Sequence, residues 1–505
     1  MRKTIFIKNA VILTASSLIL RFVGIFFKVW LASKIGSEGI GLYQLIFSVY
    51  MFSATFATSG ICTAVTRLVS EELVVGNKEN VSKILRRCIQ LSLVIAAFSI
   101  AVLFFGARFI SCKLLHQPQA ELSLKILGFS LPFMGVCSCF KGYFIARRKV
   151  SPTTTSQLLE QTVRIAVIVP LVLRYNSFGI RYACAAVLLG DTIAEAASCL
   201  YVYARYKADY KRLSLPPRKR APYRLLATIN HIALPITSGK YLNSALRMIE
   251  NILVPICISS STLSGNGMAM FGMIKGMALP LLFFPSTILS ALSTLLLPEI
   301  SESAVRGRTS VVKTMVNSII KLTSIVSIIF SAVFLVCGKP LGVLIYKNPD
   351  VGFLLSALSP IVPFMYLDAI SDGILKGLDQ QKFTFYTSVI DSSIRILLIL
   401  LLLKRFGIYG FIGIMYFSNF LTGFSNTKRL LKQSKANLDF GKVFFLPTCC
   451  AFTLCLLARY IFTTLNLSAL PYVILVCSCC IPVYLLLLFA FNVIDYDDIG
   501  FIKIK

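Results

Sequence analysis

Long apolar runs separated by short polar connections repeat along the whole chain. The first two cover residues 9–31 and 41–66, and each is longer than the roughly 20 apolar residues that a transmembrane helix needs. Runs of similar length continue to the C-terminal end of the sequence. This pattern predicts an all-α polytopic membrane protein with about 14 transmembrane helices.

The composition agrees with a membrane protein, since 56% of the 505 residues are hydrophobic and only 14% are charged. A net charge of +30 would suggest a nucleic-acid partner in a soluble protein. Here most lysines and arginines lie between the apolar runs, where membrane topology and anionic lipid headgroups explain them. We therefore expect membrane lipids, and no nucleic acid, as partners.

No catalytic or cofactor motif is present in the sequence. The fifteen cysteines lie mainly in apolar segments, and none has the paired spacing with nearby histidine that a zinc site requires. There is no phosphate-binding glycine loop, no HExxH and no GxSxG motif. The chain is therefore predicted not to be an enzyme, and no metal or cofactor is expected.

The connections between the apolar runs alternate between strongly and weakly basic. The most basic connection covers residues 207–224, and another strongly basic group contains Lys141, Arg147, Arg148 and Lys149. Positively charged loops face the cytoplasm. The alternation predicts a multi-pass membrane protein with both termini in the cytoplasm.

The chain contains an internal repeat. When the segment starting at Gly142 is aligned without gaps on the segment starting at Gly373, a carboxylate–arginine couple matches in both halves. Six helices separate the matched segments, so the two halves are parallel repeats. The predicted organisation is an N-terminal lobe, a basic cytoplasmic linker, a C-terminal lobe, and two further helices with a tail: 1–206, 207–225, 226–431 and 432–505.

Several cations interrupt the apolar runs. Arg21 lies roughly 20 Å along a helix from Lys8 and from Lys34, near the middle of a bilayer, where a charge costs about 2.5–3.5 kcal/mol. Lys28 follows two turns later on the same face. The same spacing recurs in the seventh predicted helix, and one more cation lies in the eighth. We predict an anion-binding site that lies between the lobes and contains Arg21, Lys28, Lys240, Arg247 and Lys275.

Acidic residues inside the predicted helices have two open interpretations. Glu160 precedes Arg164 by four residues, as Asp391 precedes Arg395, so each couple can neutralise itself on one helix face. Alternatively, these couples serve gating or ion coupling, although no coupling ion can be identified from the sequence. Glu250 can pair with Arg247 and has the same two interpretations. Weaker candidates for coupling are Asp191, Glu195, Asp368 and Asp372.

Three segments resemble one known family, the stage V sporulation protein B group. They are IGSEGIGLYQLIFSVY (35–50), SGICTAVTRLVSE (59–71) and KGYFIARRKVSPTTTSQLLEQTVRI (141–165). This group belongs to the polysaccharide transporters of the superfamily that also contains MATE exporters and lipid II flippases. The resemblance implies two six-helix lobes forming a MATE-like V, plus two C-terminal helices. Two departures are Cys62, where the family usually has proline, and Lys275, which only approximately matches an arginine of related flippases.

The resemblance also implies a location and a function, which are a bacterial cytoplasmic membrane and export of an undecaprenyl-pyrophosphate-linked glycan precursor for peptidoglycan or spore cortex. We expect a flippase that works by alternating access, with a lipid-linked anionic glycan as substrate and cell-wall synthesis proteins as further partners. One alternative is a cation-coupled multidrug exporter of the same superfamily. That class needs acids at its site, whereas the first helix has Arg21 and Lys28 and no acid. Another alternative is a non-transporting scaffold of a cell-wall synthesis complex.

Overall fold

The computed structural model describes residues 2–76, 78–213, 225–261, 265–465 and 468–493. These residues form helices joined by short turns, with no strand among them. By their contacts they divide into two units. The first unit contains Met1–Ser259 and Asn266–Gly272, and the second contains Ser260–Gly265 and Met273–Lys505. The all-α class predicted from the apolar runs is confirmed.

Six long helices belong to the first unit, and a seventh helix begins there and continues into the second unit. In chain order they are α1 (Arg2–Val75), α2 (Lys78–Phe105), α3 (Ala120–Ala146), α4 (Ser151–Tyr175), α5 (Ile180–Lys211), α6 (Leu225–Ser259) and α7 (Gly267–Phe283). The division between the units falls after Gly272, where α7 changes into the π-helical segment Gly272–Ala278.

The remaining helices belong to the second unit. They are α8 (Ser286–Val305), α9 (Thr309–Tyr346), α10 (Pro349–Gly377), α11 (Gln381–Leu398), α12 (Lys404–Ser434), α13 (Gly441–Ile461) and α14 (Ala469–Ala490). A π-helical segment, Ile399–Leu403, connects α11 to α12 without a loop.

Helix α1 is broken at Gly36. This residue has φ 73° and ψ 178°, a left-handed conformation that glycine adopts at little cost. An unbroken helix of 74 residues would be about 110 Å long, far more than a hydrocarbon core of about 30 Å. The break lies between the first two apolar runs predicted from the sequence and therefore divides α1 into two segments of spanning length.

Ten helices of the described chain are long and apolar enough to cross a membrane. An eleventh span results if the bent pair Gly267–Phe283 and Ser286–Thr294, which meet at 58°, crosses as one unit. One of the ten, Gln381–Ser434, has 54 residues and a break at Gly407. The protein is therefore a multi-pass membrane protein, while the number of 14 helices and the orientation of the termini stay predictions.

Tight packing of side chains of mixed size forms the core of the first unit. Tyr143 and Phe144 of α3 are 0% and 1% exposed, and their rings meet edge to face with centroids 5.3 Å apart. Cys88 and Cys139 fill the space beside them and are both fully buried. Lipid tails are as apolar as leucine, so van der Waals packing stabilises such contacts in a membrane.

The predicted lobe boundaries at 206 and 226 remain predictions. Helix α5 extends through the start of the predicted linker to Lys211, and residues 214–224 of that linker lie outside the described residues. Helix α6, which the repeat assigns to the C-terminal lobe, groups by its contacts with the first unit.

Candidate functional site

Four of the five cations predicted to bind an anion lie on α1 and α6, within the first unit. The side chains of Arg21, Lys28, Lys240 and Arg247 are exposed. None of the four forms an ion pair or hydrogen bond with another residue that the structure describes. These two helices therefore present positive charge that no carboxylate neutralises within the described part of the chain.

Close contacts hold α6 against the second segment of α1. A Cβ added to Gly60 would lie 2.1 Å from Oγ1 of Thr237, so the helices meet at a distance that only glycine permits. Further along, the rings of Phe52 and Tyr241 are 4.4 Å apart. This contact places Lys240, the neighbour of Tyr241, beside the second segment of α1.

The first segment of α1 carries Lys28, which lies within electrostatic range of Arg164 of α4. Arg164 is the centre of a polar cluster inside the first unit. Its Nη2 lies 2.9 Å from Oε1 of Glu160 on the same helix, and its Nε lies 2.8 Å from Oδ1 of Asp191 on α5. Tyr43 of α1 donates a hydrogen bond of 3.4 Å to the other oxygen of Asp191. Arg164 thus connects α4 to α5, and Asp191 connects α5 to α1.

Two more charged residues, Lys141 and Glu195, complete this cluster. We call it the Arg164 cluster, and it consists of Lys141, Glu160, Arg164, Asp191 and Glu195. Nζ of Lys141 lies 4.0 Å from Oε2 of Glu160, and the Lys141 side chain is 23% exposed. The sequence analysis placed Lys141 in a cytoplasmic connection, but it lies inside α3 and faces α4. Glu195, one turn after Asp191 on α5, is half-buried.

The second unit contains the matching couple in a different setting. Arg395 Nη2 is bonded to Oδ2 of Asp391 within α11. Ser418 of α12 donates a hydrogen bond of 2.6 Å to Oδ1 of the same carboxylate. Asp391 is buried, 5% exposed, so its charge is satisfied from its own helix and from its neighbour. Both intrahelical couples named in the sequence analysis are therefore formed.

The two remaining candidates are Lys275 of α7 and Glu250 of α6. Lys275 is half-buried within the π-helical segment of α7, and π-helical segments often occur at functional sites. Glu250 is 2% exposed, whereas Arg247 is exposed. The predicted pairing of Glu250 with Arg247 stays a prediction.

Some of the polar residues around Arg164 and around Arg395 could not be identified from the sequence. Tyr43 and Ser418 are common residue types in apolar helices and become informative only because a carboxylate faces them from another helix. Lys141 had a detectable signal, since it begins the segment 141–165 that carries the family resemblance. Its position near a run of basic residues concealed that signal.

A family model described as "Polysaccharide biosynthesis protein" matches residues 6–304, more than half of the chain. This chain belongs to that family. The family resemblance stated from the sequence segments is thereby confirmed.

Two curated relatives from Bacillus subtilis (strain 168) align with most of this chain. Stage V sporulation protein B is 24% identical over 412 residues, which cover 80% of this chain and 79% of the relative. Lipid II flippase MurJ is 23% identical over 460 residues, which cover 84% of this chain and 82% of the relative. Neither relative carries the name of an enzyme, in agreement with the prediction that this family member is not one.

Two solved structures share the fold. A structure of lipid II flippase MurJ in an inward closed conformation has a TM-score of 0.72 and 16% identity, covering 97% of this chain and 99% of that one. An inward-facing multidrug resistance MATE family transporter of the MOP superfamily has a TM-score of 0.66 and 13% identity, covering 83% of this chain and 100% of that one. The family member described here therefore has the MATE-like fold expected from the sequence.

Proposed function

We propose that this protein is a flippase that exports an undecaprenyl-pyrophosphate-linked glycan precursor, similar to lipid II, across the cytoplasmic membrane by alternating access. Its product would serve synthesis of peptidoglycan or spore cortex. Membership of a polysaccharide biosynthesis family supports a glycan substrate. The names of two relatives, one a sporulation protein and the other a lipid II flippase, support this class of glycan.

The observation that carries the proposal is the set of unneutralised cations on α1 and α6. A charge near the middle of a bilayer costs about 2.5–3.5 kcal/mol on insertion scales, so a polar environment or a charged ligand must compensate it. Within the described chain, Arg21 and Arg247 have no acidic partner. An anionic substrate group would supply the missing charge.

A pyrophosphate headgroup suits these residues chemically. The planar guanidinium of Arg21 or Arg247 can donate two parallel hydrogen bonds to phosphate oxygens, while Lys28 and Lys240 contribute compact charges. Without such partners, an anion leaving water would pay a large desolvation cost. The polyprenyl tail needs no polar path, because lipid solvates it throughout transfer.

The test uses purified protein reconstituted into vesicles with fluorescent lipid II in the inner leaflet. A membrane-impermeant reductant that destroys the label reports how much lipid II reaches the outer leaflet. Arg21→Ala and Arg247→Ala are each expected to slow flipping about tenfold or more, equivalent to raising the free-energy barrier of transport by about 1.4 kcal/mol or more. Arg67→Ala is the matched control, because Arg67 is exposed at the end of α1 and already pairs with Glu71 at 3.2 Å.

The same vesicles separate the proposal from its two alternatives. A scaffold would give no flipping with the unaltered protein. A cation-coupled multidrug exporter would move cationic dyes, and its activity would survive both arginine substitutions. If lipid II flips at equal rates with and without Arg21 and Arg247, the cationic site is not the substrate site and the proposal fails.

A further inference from the structure

Glu195 differs from the other acids of the Arg164 cluster. Glu160 and Asp191 each lie within 3 Å of a guanidinium nitrogen of Arg164. Glu195 is half-buried on α5, yet it makes no hydrogen bond or ion pair with any other residue described by the structure. Among the acids of the Arg164 cluster, Glu195 is therefore the one whose ionised form is not stabilised by a described partner.

The Arg164 cluster also contains more acids than cations. It contains three carboxylates, while its cations are Arg164 and Lys141. Arg164 is engaged by two carboxylates, and Lys141 lies 4.0 Å from Glu160. If all three acids were ionised, one negative charge would remain without a cation inside the cluster.

Every helix packed against this part of α5 contributes groups within electrostatic range of Glu195. Helix α3 also carries Glu121 and Lys125, but those two bind each other at 2.6 Å. The surrounding titratable or charged groups are Tyr50 of α1, Cys137 and Lys141 of α3, Glu160 and Arg164 of α4, and Asp191 and Cys199 of α5 itself. Two of these charged groups are acids that repel an ionised Glu195, and two are cations already near another acid.

A carboxylate without a partner is unfavourable away from water, where its neutral acid form is preferred. Contact with water reverses that preference. We propose that Glu195 is a reversible protonation site, and that transport by this protein depends on the proton it takes up and releases. This inference rests on the proposed transport function, because the proton is linked to the movement of substrate.

The proton step is a simple acid–base exchange. A proton from water bonds to a carboxylate oxygen of Glu195, which neutralises the cluster, and breaking that O–H bond returns the proton to water. No electron is transferred and no co-reactant is needed. Because Lys28 lies within range of Arg164, a change in charge at this cluster acts on a predicted substrate-binding residue.

The first test detects the proton directly, without transport. Infrared spectra of the full-length protein in vesicles at neutral pH are compared for the unaltered protein and Glu195→Gln. The carbonyl stretch of a protonated carboxyl group is expected in the unaltered protein and is expected to decrease in the variant. Glu79→Gln is the control, since Glu79 is exposed and pairs with Lys83 at 3.4 Å. An unchanged band in Glu195→Gln would overturn the proposal.

The second test measures lipid II flipping as a function of pH. The protonated fraction of a single site changes up to about tenfold per pH unit, so the rate should vary by up to that factor in the unaltered protein. Glu195→Gln, whose side chain is permanently neutral, should fold and flip at a rate that does not respond to pH. Glu195→Asp retains an acid and should restore the response with a shifted midpoint.

Each outcome has a separate meaning. Full pH dependence of the flipping rate in Glu195→Gln would overturn the protonation site. A flipping rate that depends on sodium instead of pH in the unaltered protein, and that loses this dependence in Glu195→Gln, would overturn it too. If Glu195→Gln fails to fold, an absent pH response in Glu195→Asp overturns the proposal. If lipid II does not flip at all but the infrared band behaves as expected, the proposed substrate is wrong while the protonation site stands.

Discussion

The polar clusters around Arg164 and Arg395 begin with the same local couple but connect to their neighbouring helices differently. In the first unit the arginine reaches across, and its Nε lies 2.8 Å from Asp191 of α5. In the second unit the carboxylate reaches across, since Asp391 accepts a hydrogen bond of 2.6 Å from Ser418 of α12. A charged link between helices in one unit is thus a hydroxyl–carboxylate link in the other.

A second pair of positions makes the same point. The ungapped alignment that places Glu160 on Asp391 also places Cys137 of α3 on Asp368 of α10. In the second unit Asn426 of α12 donates a hydrogen bond of 2.7 Å to Asp368. In the first unit Sγ of Cys137 lies 3.9 Å from Oγ of Ser198 on α5. The corresponding position thus makes a polar contact with a neighbouring helix in both units, through a carboxylate and an amide in one and through a thiol and a hydroxyl in the other.

The largest expected difference between the units comes from removing the arginines. Arg164→Ala leaves two carboxylates, Glu160 and Asp191, without their shared cation. Breaking a buried ion pair in this way destabilises a protein by about 3–5 kcal/mol. Arg395→Ala leaves Asp391 with its bond from Ser418, so a smaller loss of about 1–3 kcal/mol is expected. Unfolding of both variants in mixed micelles with increasing denaturing detergent measures the two free energies.

The control for this comparison removes the stranded acid as well. Arg164→Ala combined with Asp191→Asn should recover part of the lost stability, because one uncompensated charge is gone. Equal losses for Arg164→Ala and Arg395→Ala would mean that the link between α4 and α5 contributes nothing beyond the intrahelical couple.

The features shared by the two units are those that the sequence could predict. Apolar length predicted the helices, and the four-residue spacing of Glu160–Arg164 and Asp391–Arg395 predicted couples on one helix face. The length of the apolar run around Arg21 and Lys28 likewise predicts a location inside the membrane for both, and this stays a prediction. All of these features depend on residues close together along the chain.

The features that distinguish the units could not be predicted. The contact between Arg164 and Asp191 depends on the rotation of two helices about their axes, which the sequence pattern does not determine. The same applies to Ser418, whose role exists only because Asp391 lies opposite. The break at Gly36 was detectable only as a gap between apolar runs, since glycine is also common inside membrane helices.

A smaller effect is expected from removing the hydroxyl that distinguishes the second unit. Ser418→Ala deletes the hydrogen bond to Asp391 and leaves that buried carboxylate with Arg395. Interhelical hydrogen bonds in membrane proteins contribute about 0.6 kcal/mol on average and at most about 1.7 kcal/mol. The charge on the acceptor favours the upper end of that range, about 1.5 kcal/mol. The same unfolding measurement applies, and Ser393→Ala is the control because, among the residues that the structure describes, Ser393 bonds only to Val389 of its own helix. A loss no larger than that of the control would show that α11 and α12 are held by packing alone.

The smallest effect is expected from the hydroxyl that distinguishes the first unit. Tyr43→Phe removes a hydrogen bond of 3.4 Å to Asp191, which is long for an O–H donor, while Arg164 still neutralises that acid. The expected loss is about 0.5 kcal/mol, and the aromatic packing between Tyr43 and Phe47, with centroids 5.8 Å apart, is retained. If Tyr43→Phe instead costs as much as Ser418→Ala, Asp191 depends on α1 as Asp391 depends on α12, and the two units are more alike than their contacts indicate.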